Sequence, residues 1–195
     1  MDDLSIDFIS GAVDHRRRFG GGRGQALARA VGMKGGATPD VVDATAGLGR
    51  DAFLLATLGA RVTLIERAPT VHAALARAIA RAGEVEETKA IVARMTLLQG
   101  DARALLPGLA PDVVLVDPMH PPRKTRALVK QQMRLLRELV GQDDDAAELM
   151  QVALECARKR VVLKWPRKAE PMPGIPAPSH QIVGKSTRYD VFMRG

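Results

Sequence analysis

Val41-Val42-Asp43-Ala44-Thr45-Ala46-Gly47-Leu48-Gly49-Arg50-Asp51-Ala52-Phe53 is the stretch that decides the fold. Its first four residues are a short apolar run that stops at glycines, the pattern of a buried strand. Gly47, Gly49 and Ala52 make a G-x-G-x-x-A turn. A helix is expected beyond it over about 50–58, where Gly59 stops it. A glycine turn between strand and helix lets a ligand approach the backbone, and the helix N-terminus offers N–H groups to an anion. The alternation then repeats. Residues 61–65 read as a second strand, and 71–81 as a helix with Pro69 at its first turn. Residues 96–98 and 113–116 read as the third and fourth strands. Residues 127–140 read as a periodic helix with Leu128, Met133, Leu135, Leu136 and Leu139 on one face. Asp143 to Asp145 can cap a further helix over about 146–157. Residues 160–164 are a fifth strand, and Pro166, Pro171, Pro173, Pro176 and Pro178 mark a loop after it. Residues 181–183 and 189–193 read as a closing hairpin. Strands alternating with helices imply right-handed crossovers and a parallel sheet covered on both faces. The expectation is an α/β, Rossmann-like fold: a seven-stranded, mostly parallel sheet with an antiparallel C-terminal strand.

The chain has 195 residues, enough for one domain. Residues 1–40 read as a basic, glycine-containing N-terminal extension packed on the domain formed by 41–195. The short helix in that extension spans about 25–31. An apolar share of 46% with 26% charged residues excludes wholesale disorder. No run approaches the ~18 apolar residues of a membrane span. Met1-Asp2-Asp3-Leu4 lacks the basic-then-apolar order of a signal peptide, so the expected location is cytoplasmic. The single cysteine, Cys156, reads as a small core residue. A net charge of +7 draws the chain toward polyanions, of which nucleic acid is the commonest. The 3% aromatic content argues against a sheet that stacks bases on its face.

Candidate site residues cluster at strand ends. Glu66 follows Gly47 by nineteen residues and ends the second strand, where an acid can accept hydrogen bonds from ribose hydroxyls. That much suits a nicotinamide dehydrogenase or an S-adenosylmethionine (SAM) enzyme. Asp43 before the glycines, and Arg50 with Asp51 after them, favour SAM. A guanidinium can pair with the methionyl carboxylate and a carboxylate with its ammonium. Asp101, after the third strand, can accept from an adenine amino group or cap a helix. The fourth strand ends in Asp117-Pro118-Met119-His120, similar to the D/N-P-P-Y/F turn of methyltransferases acting on exocyclic amino groups. There a carboxylate and the Pro118 carbonyl would each accept one N–H, aligning the nitrogen lone pair. His120 stands in the aromatic position, where an imidazole can stack on a base.

Three basic clusters are expected to form a phosphate-binding rim: Arg16, Arg17, Arg18 and Arg23; Arg123, Lys124 and Arg126; and Lys164 with Arg167 and Lys168. His15, His72 and His180 read as structural or surface residues, and no metal constellation is expected.

These segments carry a resemblance over nearly the whole chain. They are Asp7-Phe8 with Gly11-Ala12-Val13, His15-Arg16-Arg17, Phe19-Gly20-Gly21-Gly22-Arg23-Gly24, the A-T-A-G-L-G-R-D-A-F run from Ala44, Glu66-Arg67, Asp117-Pro118-Met119, Ala127-Leu128-Val129-Lys130, Lys164-Trp165-Pro166 and Arg188-Tyr189-Asp190. In this order the sequence resembles the RsmJ family, the 16S rRNA guanine-N2 methyltransferases. The resemblance implies a class I methyltransferase fold, SAM as cofactor, and 16S rRNA or the small ribosomal subunit as partner. It also implies SAM contacts at Arg50-Asp51, Glu66-Arg67, Asp101-Ala102 and Asp117. The chemistry of the turn alone leaves open an N6-adenine methyltransferase. A non-catalytic RNA-binding protein on a SAM-binding fold is the other alternative.

Overall fold

A computed structural model describes residues 4–11, 13, 15, 20–119 and 145–195. Seven strands form one sheet: β1 (Asp40–Asp43), β2 (Arg61–Glu66), β3 (Met95–Gln99), β4 (Val113–Val116), β5 (Arg160–Pro166), β6 (His180–Val183) and β7 (Thr187–Met193). Their spatial order is β3-β2-β1-β4-β5-β7-β6. The first five pair in parallel, and β7 runs antiparallel to both β5 and β6. The expected sheet and its closing hairpin are therefore present. Strand order reverses between β1 and β4, and such a reversal opens a crevice beyond the carboxyl ends of the strands.

Strand residues alternate between two apolar layers, because successive side chains point to opposite faces. Val41, Leu64, Leu115 and Val162 belong to one buried cluster; Val42, Ile65, Val114 and Val161 belong to the other. Covering both faces explains why the strands read as continuous apolar runs. The first layer is completed by α1 (Ala26–Ala30), α2 (Arg50–Thr57), α3 (Pro69–Gly83) and α4 (Glu86–Val92). In α3, Pro69 occupies the first turn, and Val71, Ala74, Leu75, Ala78 and Ala82 are buried at helical spacing. The second layer contains α5 (Ala102–Leu105) and α6 (Ala146–Cys156).

Helix α4 was not expected from the sequence. It has Glu86 and Glu87 in its first turn, and the Thr88 hydroxyl donates to the Ala82 carbonyl at 2.6 Å. The N-terminal segment enters the core. Leu4, Ile6 and Phe8 are buried, and the Phe8 ring stacks on Phe53 with centroids 4.8 Å apart. Arg81 donates to the Ile6 carbonyl and holds the segment against α3. Cys156 is only partly buried and forms no disulfide.

The helix expected over 127–140 lies outside the described residues, as do Asp143 and Asp144. Asp145 stands at the N-cap of α6 but makes no capping bond with its side chain. Arg67 and Arg103 draw its carboxylate away, at 2.9 and 3.1 Å. Among the described residues no helix is long and apolar enough to cross a membrane.

Candidate active site

A pocket of about 370 Å³ opens at the carboxyl ends of β1, β2, β4 and β5. Registers explain the convergence. Asp43 pairs with Leu64 and Leu115, and Val116 pairs with Leu163, so Asp117, just past β4, lies beside Lys164 of β5. The Thr45 hydroxyl accepts from the Asp117 N–H at 2.7 Å and ties the ends of β1 and β4 together. Thr45 escaped the sequence reading, which weighed only the glycines and acids around it.

The glycine turn works in two ways. Gly47 has φ +51° and donates its N–H to Glu66 Oε2 at 3.0 Å. Gly49 has φ +67°, and a Cβ there would lie 2.7 Å from Leu75 and 3.0 Å from Phe8. Gly49 is thus required by the core beneath the turn, whereas the sequence alone pointed to ligand approach. Glu66 also accepts from the Ala68 N–H at 2.8 Å. Burial pushes its carboxyl above the ordinary range, and those backbone donors act against the rise. A carboxylate held this way keeps acceptor capacity toward a diol at the pocket wall.

Asp43 is buried and accepts from the Thr45 N–H at 3.2 Å. Burial, with Asp51 and Asp117 nearby, pushes its carboxyl up to about 7. Lys164 Nζ lies 2.7 Å from Asp51 Oδ2 and 2.7 Å from Asp117 Oδ2. The expectation that Lys164 belongs to an outer phosphate rim is corrected here. Its ammonium lines the pocket and is engaged by two carboxylates.

Across the pocket, Asp101 caps α5 by accepting from the Arg103 N–H at 2.9 Å. Its carboxylate also pairs with the Arg103 guanidinium, which holds the Asp101 carboxyl below its ordinary range. Arg103 continues to Asp145 and Glu148, and Asp145 continues to Arg67. This chain of ion pairs crosses the rim between β2, β3 and α6. Arg50, Ala102, Pro118 and Met119 line the same pocket. His120 lies outside the described residues, as do Arg16, Arg17, Arg18, Arg123, Lys124 and Arg126.

Arg23 is a second correction to the expected rim. Its guanidinium donates to the carbonyls of Ala37 and Leu58 at 2.9 and 3.0 Å. Those carbonyls precede β1 and β2, so Arg23 sits at the end of the sheet opposite the pocket. The Arg188-Tyr189-Asp190 segment is structural. Arg188 pairs with Asp190 at 3.0 Å and donates to the carbonyls of Arg167 and Ala169, closing the loop after β5. Among the described residues, no group of three or more His, Cys, Asp or Glu side chains is placed to hold a metal ion.

The donor set suits SAM. Asp51 and Asp117 share the single Lys164 ammonium, which leaves negative charge for an ammonium or a sulfonium. Arg50 lines the pocket as a cation that suits a carboxylate, and Glu66 as an acceptor that suits a diol. The volume falls within the ~300–1,000 Å³ usual for small-molecule sites. Sheet order and pocket together define a SAM-dependent methyltransferase.

Comparison with known proteins narrows the class. Residues 1–194 match the family described as "Putative SAM-dependent methyltransferase". Ribosomal RNA small subunit methyltransferase J of Agrobacterium fabrum is 67% identical over 193 residues, covering 98% of this chain and 93% of that protein. Its namesake from Brucella anthropi is 65% identical over 193 residues, covering 98% and 94%. The crystal structure of a SAM-dependent methyltransferase from Neisseria gonorrhoeae superimposes with a TM-score of 0.77 at 42% identity, covering 97% of this chain and 74% of that one. The chain belongs to the ribosomal RNA small subunit methyltransferase J family.

Proposed function

We propose that this enzyme transfers a methyl group from SAM to the exocyclic N2 amino group of a guanosine in 16S rRNA. One observation carries the reading: the Asp117-Pro118 turn leaves β4 inside the pocket, tied to the glycine turn through Thr45. When bound, SAM supplies an electrophilic methyl group on sulfur. The purine amino group is a poor nucleophile, because its lone pair is delocalised into the ring. Asp117 accepts one of its N–H groups and the Pro118 carbonyl the other, which turns the lone pair out of conjugation. The Asp117 charge then stabilises the positive charge growing on nitrogen. Glu66 holds the ribose, Arg50 the carboxylate, and Asp43 with Asp51 favours the ammonium; His120 is assigned to stacking on the target base.

Support for an rRNA substrate comes from the names of the two relatives and from the +7 charge. The choice of guanine N2 rests on the RsmJ resemblance. Residues 1–40 are assigned as an extension packed on the catalytic domain, supported by the burial of Leu4, Ile6 and Phe8. Arg16, Arg17, Arg18, Arg123, Lys124 and Arg126 are assigned to phosphate contacts, and an rRNA target places the enzyme in the cytoplasm.

Single-turnover transfer at saturating SAM and RNA tests the role of the turn. Asp117→Ala should slow the step ~10²–10³-fold, the usual cost of removing a preorganised interaction with the transition state. Asp117→Asn keeps an acceptor oxygen and loses the charge, so its rate separates orientation from electrostatics. A near-normal rate in the Ala variant, with SAM affinity measured in parallel, would contradict the assignment.

A further inference from the structure

Lys164 leaves β5 with its Nζ equidistant, at 2.7 Å, from Asp51 at the start of α2 and Asp117 after β4. The two acids come from elements far apart in the chain. We infer that Lys164 is a positioning residue for the transfer step, fixing the Asp117 carboxylate by bridging it to Asp51. The inference rests on the methyl-transfer reading above.

First, Asp117 stands just past β4 in a proline turn, and a short charge-assisted bond from Lys164 to its Oδ2 favours one orientation of the carboxylate. Second, Asp43, Asp51 and Asp117 form a like-charged group. Glu66 faces the pocket from β2, Arg50 from α2, and Tyr189 stands opposite Lys164 on β7. Without Lys164, Asp51 and Asp117 would lose the cation that each holds at 2.7 Å, which favours protonating one of these two. An acid protonated at Asp117 no longer offers a negative acceptor to the incoming amino group. Third, an ammonium shared by two carboxylates in a partly closed pocket is poorly placed for phosphate. Burial disfavours its charge, but Asp51 and Asp117 outweigh that, so its pKa is raised and it carries a proton at every working pH. Lys164 is therefore not a proton acceptor. Its bridge also makes the acid that meets the cofactor's ammonium share a cation with the acid that meets the substrate.

The test uses Lys164→Gln in the full chain, read three ways. Carbon-13 carboxyl titration of the protein without SAM should show the Asp117 midpoint raised by about one unit or more. Single-turnover methyl transfer at saturating SAM and RNA should fall roughly 10- to 100-fold at neutral pH, with its acid limb moved to higher pH. Lys164→Arg should restore part of both. The salt dependence of RNA binding should not change. An unmoved Asp117 midpoint would overturn the inference. A flatter salt slope with a normal single-turnover rate would also overturn it, and would return Lys164 to phosphate binding. If the Gln variant does not fold, nitrogen-15 spectra of the wild-type protein decide. A slowly exchanging Lys164 ammonium responding to both aspartate titrations supports the bridge, and a freely exchanging one excludes it. Wild-type protein that methylates no RNA would refute the proposed function, whereas the carboxyl titration reads the bridge independently of it.

Discussion

Asp43 folds into a place that disfavours its charge, and this gives the protein a predictable pH dependence. Its carboxyl lies at about 7 in the folded protein against an ordinary 3.8, with burial as the main cause. Between those values the folded state binds a proton that the unfolded state has released, so this group's contribution to stability falls as pH rises from about 4 to 7. Asp43→Asn cannot lose that proton and keeps an oxygen for the Thr45 N–H. Relative to wild type, the variant should gain stability from pH 5 to pH 8, by no more than about 3 kcal/mol. Urea unfolding at the two pH values checks this, and a constant difference would mean Asp43 is charged throughout. Glu66 makes a second residue-scale prediction. Glu66→Ala removes the ribose acceptor and the partner of the Gly47 N–H, each worth roughly 1.5–3 kcal/mol for a charged group. SAM affinity measured by calorimetry should fall about tenfold or more; unchanged affinity would remove Glu66 from the ribose role.

At the scale of elements, the buried N-terminal segment is as much core as the helices. Phe8 packs against Phe53 and above Gly49, so Phe8→Ala should cost about 3–5 kcal/mol in equilibrium unfolding. A loss under about 1 kcal/mol would mean that residues 4–8 are an appendage. The alternation Leu4, Ile6, Phe8 was visible in the sequence, but the arginines and glycines after it dominated the reading as an extension. The central strands were legible because both sheet faces are covered and each carries an apolar run, whereas the mostly exposed edge strand β6 was legible only from its hairpin pattern with β7. Helix α4 was not, because its buried side is only Thr88, Ile91 and Val92 and a polar residue opens it. The acids and glycines at strand ends were legible from spacing, since a doubly wound sheet gathers strand ends into one crevice. The bridge from Lys164 was not. Asp51, Asp117 and Lys164 are far apart in sequence, and the registers of β1 with β4 and of β4 with β5 bring them together. Arg23 misled for a similar reason: Arg16, Arg17 and Arg18 stand a few residues before it in sequence, but its guanidinium donates to two carbonyls.

The whole molecule carries an excess of seven positive charges, and a polyanion should feel those that reach its phosphates. Neutralising Arg17 or Lys124 should weaken RNA binding and reduce the log–log salt slope by roughly 0.7–0.9 for each phosphate that no longer meets a cation. Arg23→Gln should leave that slope unchanged, because its guanidinium is committed at the opposite end of the sheet. Equal slopes for all three variants would leave the basic clusters as solubilising charge. The proposed function joins the pocket, the Asp117-Pro118 turn and the net positive charge into one activity on rRNA. The most direct measurement of that activity uses SAM tritiated on its methyl group, incubated with the wild-type protein and with small-subunit rRNA, both free and in assembled subunits, followed by digestion to nucleosides. The label is expected to elute as N2-methylguanosine, and Asp117→Ala should leave the RNA almost unlabelled. Label in N6-methyladenosine, or no label from either form of the RNA, would contradict the assignment.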